Sequence, residues 1–158
     1  MQPRLVNIKD KQLVGKSCRM SMVNNQTAEL WKSFMLIKTT LPIQKSQELI
    51  ALQVYDREHF NTFDPTKEFY QWACMEVENS KEIPNQLTPF LLKGGLFAVF
   101  NYKGPNTDKS IFEYIYNTWV PHSDYQLDDR PHFQVMGDKY SNSSPLSEEE
   151  IWIPLKNK

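Results

Sequence analysis

Two cysteines, five glycines and three histidines are all that this 158-residue chain holds of residues that bridge, bend or ligate. Cys18 and Cys74 lie far apart in segments that read as strands, which points to reduced, buried thiols in a cytoplasmic protein and not to a disulfide frame. None of His59, His122 and His132 pairs with another at i+4, and the carboxylate or sulfur partner that zinc or non-haem iron needs cannot be placed, so no metal site is expected. Gly94-Gly95 lacks the following Lys-Ser/Thr and helix of a phosphate-cradling loop, and no dinucleotide fingerprint occurs. No cofactor is expected. Basic excess is missing too: 18 Lys and Arg face 19 Asp and Glu, for a net charge of −1. A nucleic-acid binder needs a cationic stripe to displace counterions from phosphate, so direct nucleic-acid binding is not expected. Nor is a membrane partner, because no apolar run reaches the eighteen residues that span a bilayer and Met1 to Leu5 lack a signal-peptide core.

What remains is ordinary globular material, 40% hydrophobic and 23% charged. A chain of this length forms one domain that buries roughly 70% of its extended surface. Leu5–Ile8 and Leu13–Met22 read as strands around a polar turn. Asn24 to Thr27 offers helix-capping chemistry, and Leu30, Trp31, Phe34 and Ile37 then recur at helical spacing up to Pro42. Glu48–Tyr55 and Phe69–Val77 read as two more strands, followed by a polar connector containing Pro84, Asn85 and Pro89.

The second half repeats that order. Phe90–Leu92 and Leu96–Tyr102 are strands around Lys93-Gly94-Gly95, where glycine supplies positive φ. Thr107 and Asp108 begin a helix carrying Ile111, Phe112, Ile115, Tyr116 and Trp119, which Pro121 stops. Phe133–Met136 and Glu150–Leu155 close the chain. The helix starts, Thr27 and Thr107, are 80 positions apart, as are the starts near Glu68 and Glu148 of each half's last strand. The expected fold is therefore α+β: a single domain, residues 1–158, with two similar β-β-α-β-β lobes (about 1–80 and 85–158) related by a pseudo-two-fold axis. An antiparallel sheet carries two helices, and a ligand cleft is expected at the seam between lobes.

Few residues suggest catalysis. His122-Ser123-Asp124 spells a triad, but consecutive side chains diverge and no nucleophile elbow surrounds Ser123. Glu76 and Glu78 share a strand face with Tyr70, Trp72 and Cys74, where a carboxylate beside aromatic walls can bind a cation or act as acid/base; two exposed glutamates at a strand end is the plainer reading. The stronger signal is aromatic: four Trp, seven Tyr and nine Phe. Trp31 and Trp119 belong to the apolar helix faces, and Trp72 and Trp152 to the last strand of each half. Rings from both halves at one seam would suit a flat or cationic organic ligand.

The second half also carries a pattern. Phe97-Ala98-Val99-Phe100 and Gly104 precede a helix ending Trp119-Val120-Pro121, then Pro131-His132-Phe133-Gln134, then Ile151-Trp152-Ile153-Pro154. This order resembles the GyrI-like small-molecule-binding domain, the effector-binding domain of AraC- and MerR-type regulators. The first half agrees more loosely through Leu13-Val14-Gly15 and Leu30-Trp31 with Phe34. The resemblance implies two β-strand-helix lobes with a cleft between them, and a small organic, aromatic ligand held by ring walls and an acidic residue. That acidic position is Gln134 here, which favours a neutral or anionic ligand over the family's cations. With its first strand near residue 4, the chain reads as a free-standing form without a helix-turn-helix. The expected ligand lining is Trp31, Tyr55, Trp72, Phe97, Trp119 and Trp152 with Gln134 as polar anchor, and no catalytic residue is assigned. The alternatives are a hydrolase of an electrophilic natural product, using Glu76 or Glu78, and a protein-binding inhibitor of a partner such as DNA gyrase.

Overall fold

A computed structural model describes residues 1–41, 45–78, 83–142 and 144–158. Pro42, expected to end the first helix, and the lobe boundary at residue 80 lie outside the described residues. The strands are β1 Arg4–Ile8, β2 Lys11–Met20, β3 Leu49–Val54, β4 Phe69–Glu76, β5 Thr88–Leu92, β6 Gly95–Lys103, β7 Tyr125–Leu127, β8 His132–Met136 and β9 Glu148–Asn157. All pair antiparallel in the order β1-β6-β9-β8-β3-β4-β2-β5, with β7 on β9. Exchanging the halves of the chain leaves that order unchanged, and each half lends its first strand to the other.

This topology bends the sheet. β1 and β2 stand near opposite ends of the strand order, yet only Lys9 and Asp10 separate them. Three residues of chain reach about 10 Å at most, so the two ends must curl towards each other. The second such link, Lys93-Gly94, passes against the first: Asp10 accepts from Gly94 N–H (2.8 Å) and from Lys93 Nζ (3.1 Å). A Cβ on Gly94 would lie 2.2 Å from the Ile8 carbonyl oxygen, so only glycine admits the crossing. Gly95 takes the positive φ expected of this turn, at 137°.

Arg130 locks the crossing from the second half. Its guanidinium donates to the carbonyls of Leu96 (2.7 Å), Leu155 (3.0 Å) and Gly94 (3.4 Å), pairs with Asp128 at 2.6 Å and lies 4.6 Å from the Phe97 ring centre. Burial raises the Asp128 carboxyl, but its bonds to Arg130 and to the Asp129 N–H outweigh burial and leave it below its ordinary range.

Strand alternation divides the core in two. One sheet face, inside the curl, carries Leu13, Leu52, Cys74, Phe97, Phe133 and Trp152 among others. The outer face carries the helices. The first helix, Thr27–Lys38, starts where Asn25 Oδ1 accepts the Thr27 N–H (2.9 Å), and buries Leu30 and Phe34 on Val14, Ala73 and Met75. The second starts at Ser110, three residues later than Thr107, because Asp108 Oδ1 accepts the Ser110 N–H (3.0 Å). It is α-helical over Ser110–Tyr114, π-helical over Ile115–Trp119 and α-helical again over Val120–His122. It ends one residue past Pro121, which sits second in the last short turn, where its fixed φ suits the helix. The sequence reading also omitted β7 and carried β2 two residues too far, to Met22. No described helix is long and apolar enough to cross a membrane.

Candidate functional site

The two helices cover the two wings of the sheet, over β2–β4 and β6–β9, and leave its middle strands β3 and β8 between them. That groove has an unusual floor. Where other central positions are apolar, the outer face of β3, β4 and β8 presents Gln53, Gln71 and Gln134, the first two buried. Gln53 Nε2 donates to Gln134 Oε1 (3.0 Å) and Gln71 Oε1 (3.2 Å), and Gln134 Nε2 returns a bond to Gln53 Oε1 (3.1 Å). Gln71 Nε2 is taken by the Leu52 and Trp72 carbonyls. Buried amides survive only when bonded in this way, so the network sets the register of three strands.

Two residues before Gln134, and so on the same face of β8, His132 faces Gln53 across the ladder and opens onto a cluster of rings. Its ring is hydrogen-bonded through Nδ1 to the Tyr116 hydroxyl at 2.7 Å and is met edge-on by Tyr55, 5.0 Å away at 86°. Tyr116 comes from the π-helical turn, a widening of the helix that recurs at functional sites. Phe60, from the loop joining β3 to β4, lies across both rings: it is 5.0 Å and 24° from Tyr116, and 5.1 Å and 17° from His132. His59 and Phe69 complete the cluster around Tyr55.

The cluster is electrically neutral. Burial, joined by the charges of His59 and Arg130, lowers His132 from 6.5 to about 3, so the imidazole carries no charge at physiological pH. Burial likewise raises the Tyr55 and Tyr116 hydroxyls well above their ordinary range. His59 is lowered, mainly by burial, with Asp56 and Lys67 acting on it in opposite directions. Its Nδ1 is buried without a hydrogen-bond partner.

Of the seven residues expected to line a ligand site, Tyr55 and Gln134 lie in this groove. Trp72, Phe97 and Trp152 belong to the inner face and pack there with Phe90 and Phe133. Trp31 packs edge-on to Phe34 beneath the first helix, and Trp119 edge-on to Phe100 beneath the second. The expected seven are therefore not one constellation. His132 is buried, 3% exposed, with its Nδ1 bonded to the Tyr116 hydroxyl. His59, Phe60, Phe69, Tyr116 and His132 were missed as a group, because the loop that brings two of them in has no periodicity. The three mid-strand glutamines were the available signal, since polar residues seldom sit at the centre of buried strands.

The inner face has a cleft of its own, of roughly 60 Å³, among Lys11, Glu48, Glu76, Glu150, Phe133 and Trp152. That is room for a few waters, well short of the several hundred Å³ that enclose a drug-sized ligand. Glu76 opens onto it between Lys11 (3.9 Å) and Lys45 (3.8 Å), while Glu78 is exposed beyond the end of β4. Among the described residues no group of three or more His, Cys, Asp or Glu is placed to hold a metal ion. Cys18 and Cys74 are both free thiols.

A curled antiparallel sheet with two helices on its outer face and a ring-walled groove between them defines a class of binding domain. The chain belongs to the family of the GyrI-like small molecule binding domain, whose family model matches residues 1–156. Solved structures share the fold. SAV2435 bound to tetraphenylphosphonium has a TM-score of 0.78 at 16% identity, covering 99% of this chain and 94% of that one. The EcmrR C-terminal domain has a TM-score of 0.74 at 14% identity, over 99% and 98% of the two chains. A hydrolase from Listeria innocua is more distant, with a TM-score of 0.65 at 8% identity over 98% and 92%. No curated protein matches the chain.

Proposed function

We propose that this chain binds an aromatic small molecule in the groove between its two helices, as an effector-binding or sequestering domain. The observation that carries this reading is the ring cluster of Tyr55, Phe60, Tyr116 and His132 above the Gln53–Gln134 amide pair. Stacking faces and a few fixed polar atoms are what a groove needs to hold a flat organic molecule. The family supports it, as does the tetraphenylphosphonium held by SAV2435. The amide at position 134 favours an uncharged ligand, because no carboxylate of this network offsets a desolvated cation.

The test is direct binding of N-phenyl-1-naphthylamine, an uncharged fluorogenic ring compound, to the wild type and to Tyr116→Ala. Micromolar binding that weakens at least tenfold in Tyr116→Ala is expected. Binding indifferent to Tyr116 would remove the groove as the site.

A further inference from the structure

Phe60 is an odd occupant for the middle of a binding groove. It is 40% exposed, yet its ring makes two near-parallel stacks, on Tyr116 and on His132, and a third edge contact with Tyr55. A core phenylalanine would be enclosed, and a surface one would have no such partners. Phe60 has the contacts a bound ring would have, while remaining open to solvent on one side.

Its loop is built to hold a shape of its own. Asp64 Oδ1 accepts from the Thr66 N–H and hydroxyl, and Asp56 Oδ1 accepts from the Glu58 N–H. Lys67 Nζ donates to the carbonyls of Glu58, His59 and Thr62 at 3.0 to 3.3 Å. These bonds lie within the loop, so they hold it and His59 in place when the Phe60 side chain rotates out of the groove. Among the described residues the loop's polar ties to the rest of the chain lie at its rim: an exposed Arg57–Asp129 pair at 3.5 Å, an exposed Arg19–Glu68 pair at 3.0 Å and the Val23 N–H to the Pro65 carbonyl at 3.3 Å.

The loop also carries a defect. His59 Nδ1 is buried among the rings with no hydrogen-bond partner among the described residues, and such an atom costs free energy for as long as the loop stays docked. A ligand atom placed against it would remove that cost.

We propose that the slot over Tyr116 and His132, filled by the chain's own Phe60, receives an uncharged planar ring bearing one hydrogen-bonding atom, which displaces Phe60 and partners His59 Nδ1. This rests on the binding reading above and goes beyond it by naming the subsite, the ligand class and the side chain that yields. The unliganded groove is thus self-occluded, and the apparent affinity of any ligand is reduced by the fraction of chains in which Phe60 has swung away. The rings that surround Phe60 and the amides of Gln53 and Gln134 beside them are neutral, which is why the ring received is uncharged.

The experiment compares N-phenyl-1-naphthylamine binding by wild type, Phe60→Ala, Tyr116→Ala and His59→Phe. If the slot is vacated by Phe60 in about one tenth of chains, Phe60→Ala binds roughly tenfold more tightly. His59→Phe keeps a ring but removes the orphaned nitrogen: it raises the melting temperature of the free protein while weakening the probe several-fold. The same change made in the Phe60→Ala background, where no side chain fills the slot, separates the roles: the loss of probe binding persists there if the nitrogen bonds the ligand, and its disappearance there overturns that part of the inference. Phe60→Ala binding no tighter than wild type, with Tyr116→Ala still impaired, overturns the inference and leaves the groove as the site. Loss of probe binding in every variant, wild type included, overturns both. Binding by Phe60→Ala alone supports the inference most strongly.

Discussion

His132 makes the acid stability of this protein calculable. Its imidazole is 3% exposed and is held neutral, at about 3 against 6.5 for the unfolded chain. A histidine whose folded pKa is depressed stabilises the native state fully above its unfolded pKa. That contribution is lost as the pH falls from 6.5 towards 3, because the unfolded chain takes up the proton first. Each pH unit within the window is worth about 1.4 kcal/mol, so this side chain alone removes about 2 kcal/mol between pH 7.5 and pH 5. The charged groups acting on it, His59 and Arg130, both oppose its protonation. The assay is urea unfolding at pH 7.5, 6, 5 and 4.5 for wild type and His132→Asn, comparing slopes and not absolute stabilities, since the variant also loses the Tyr116 bond. Wild type should lose about 2 kcal/mol more than His132→Asn between pH 7.5 and 5. Equal slopes, or an imidazolium signal for His132 in the NMR spectrum of the folded protein above pH 5, would refute the reasoning.

Other outcomes follow from the same contacts. Arg130→Ala strands the Leu96 and Leu155 carbonyls and the Asp128 carboxylate, and should cost about 3–5 kcal/mol in chemical unfolding, with Arg130→Lys recovering only part. Gly94→Ala pushes a Cβ into the backbone of the first link at 2.2 Å, where no flexible side chain can give way; the melting temperature should fall by about 5 °C or more. Gln134→Glu places a carboxylate beside Gln53 Oε1 and should lower stability by about 1 kcal/mol while improving tetraphenylphosphonium binding about tenfold, an effect that shrinks in salt. Unchanged calorimetric affinity for the cation in that variant would mean that position 134 does not set ligand charge.

Local chemistry and strand alternation carried much of the fold. The alternation of Phe69 to Val77, the helical spacing of Leu30, Phe34 and Ile37, and the Gly94-Gly95 turn each became the element they suggested, because such patterns act over a few residues. The motifs around Phe97, Trp119 and Trp152 pointed to the family whose model matches residues 1–156. Where a helix start was misread, one side-chain bond had decided: Asp108 moved it to Ser110.

Which rings meet was beyond the reach of pattern alone. Alternation divides the side chains of a strand into two sets without saying which set faces the helices, so Trp72 and Trp152 drew attention while Phe69, Gln71 and Gln134 lay on the side of the groove. Tertiary structure settled that by curling the sheet through two interlocked links, which turned the tryptophans inward and left the glutamines between the helices. It also settled the place of Phe60, since a loop whose ends are fixed by β3 and β4 can drop a ring onto Tyr116 and His132 only after strands from both halves have paired. Most elements, the neutral residue at position 134 and the family were legible in the chain, because each rests on residues close together in it. The ring-filled groove exists only once β3 and β8 lie side by side.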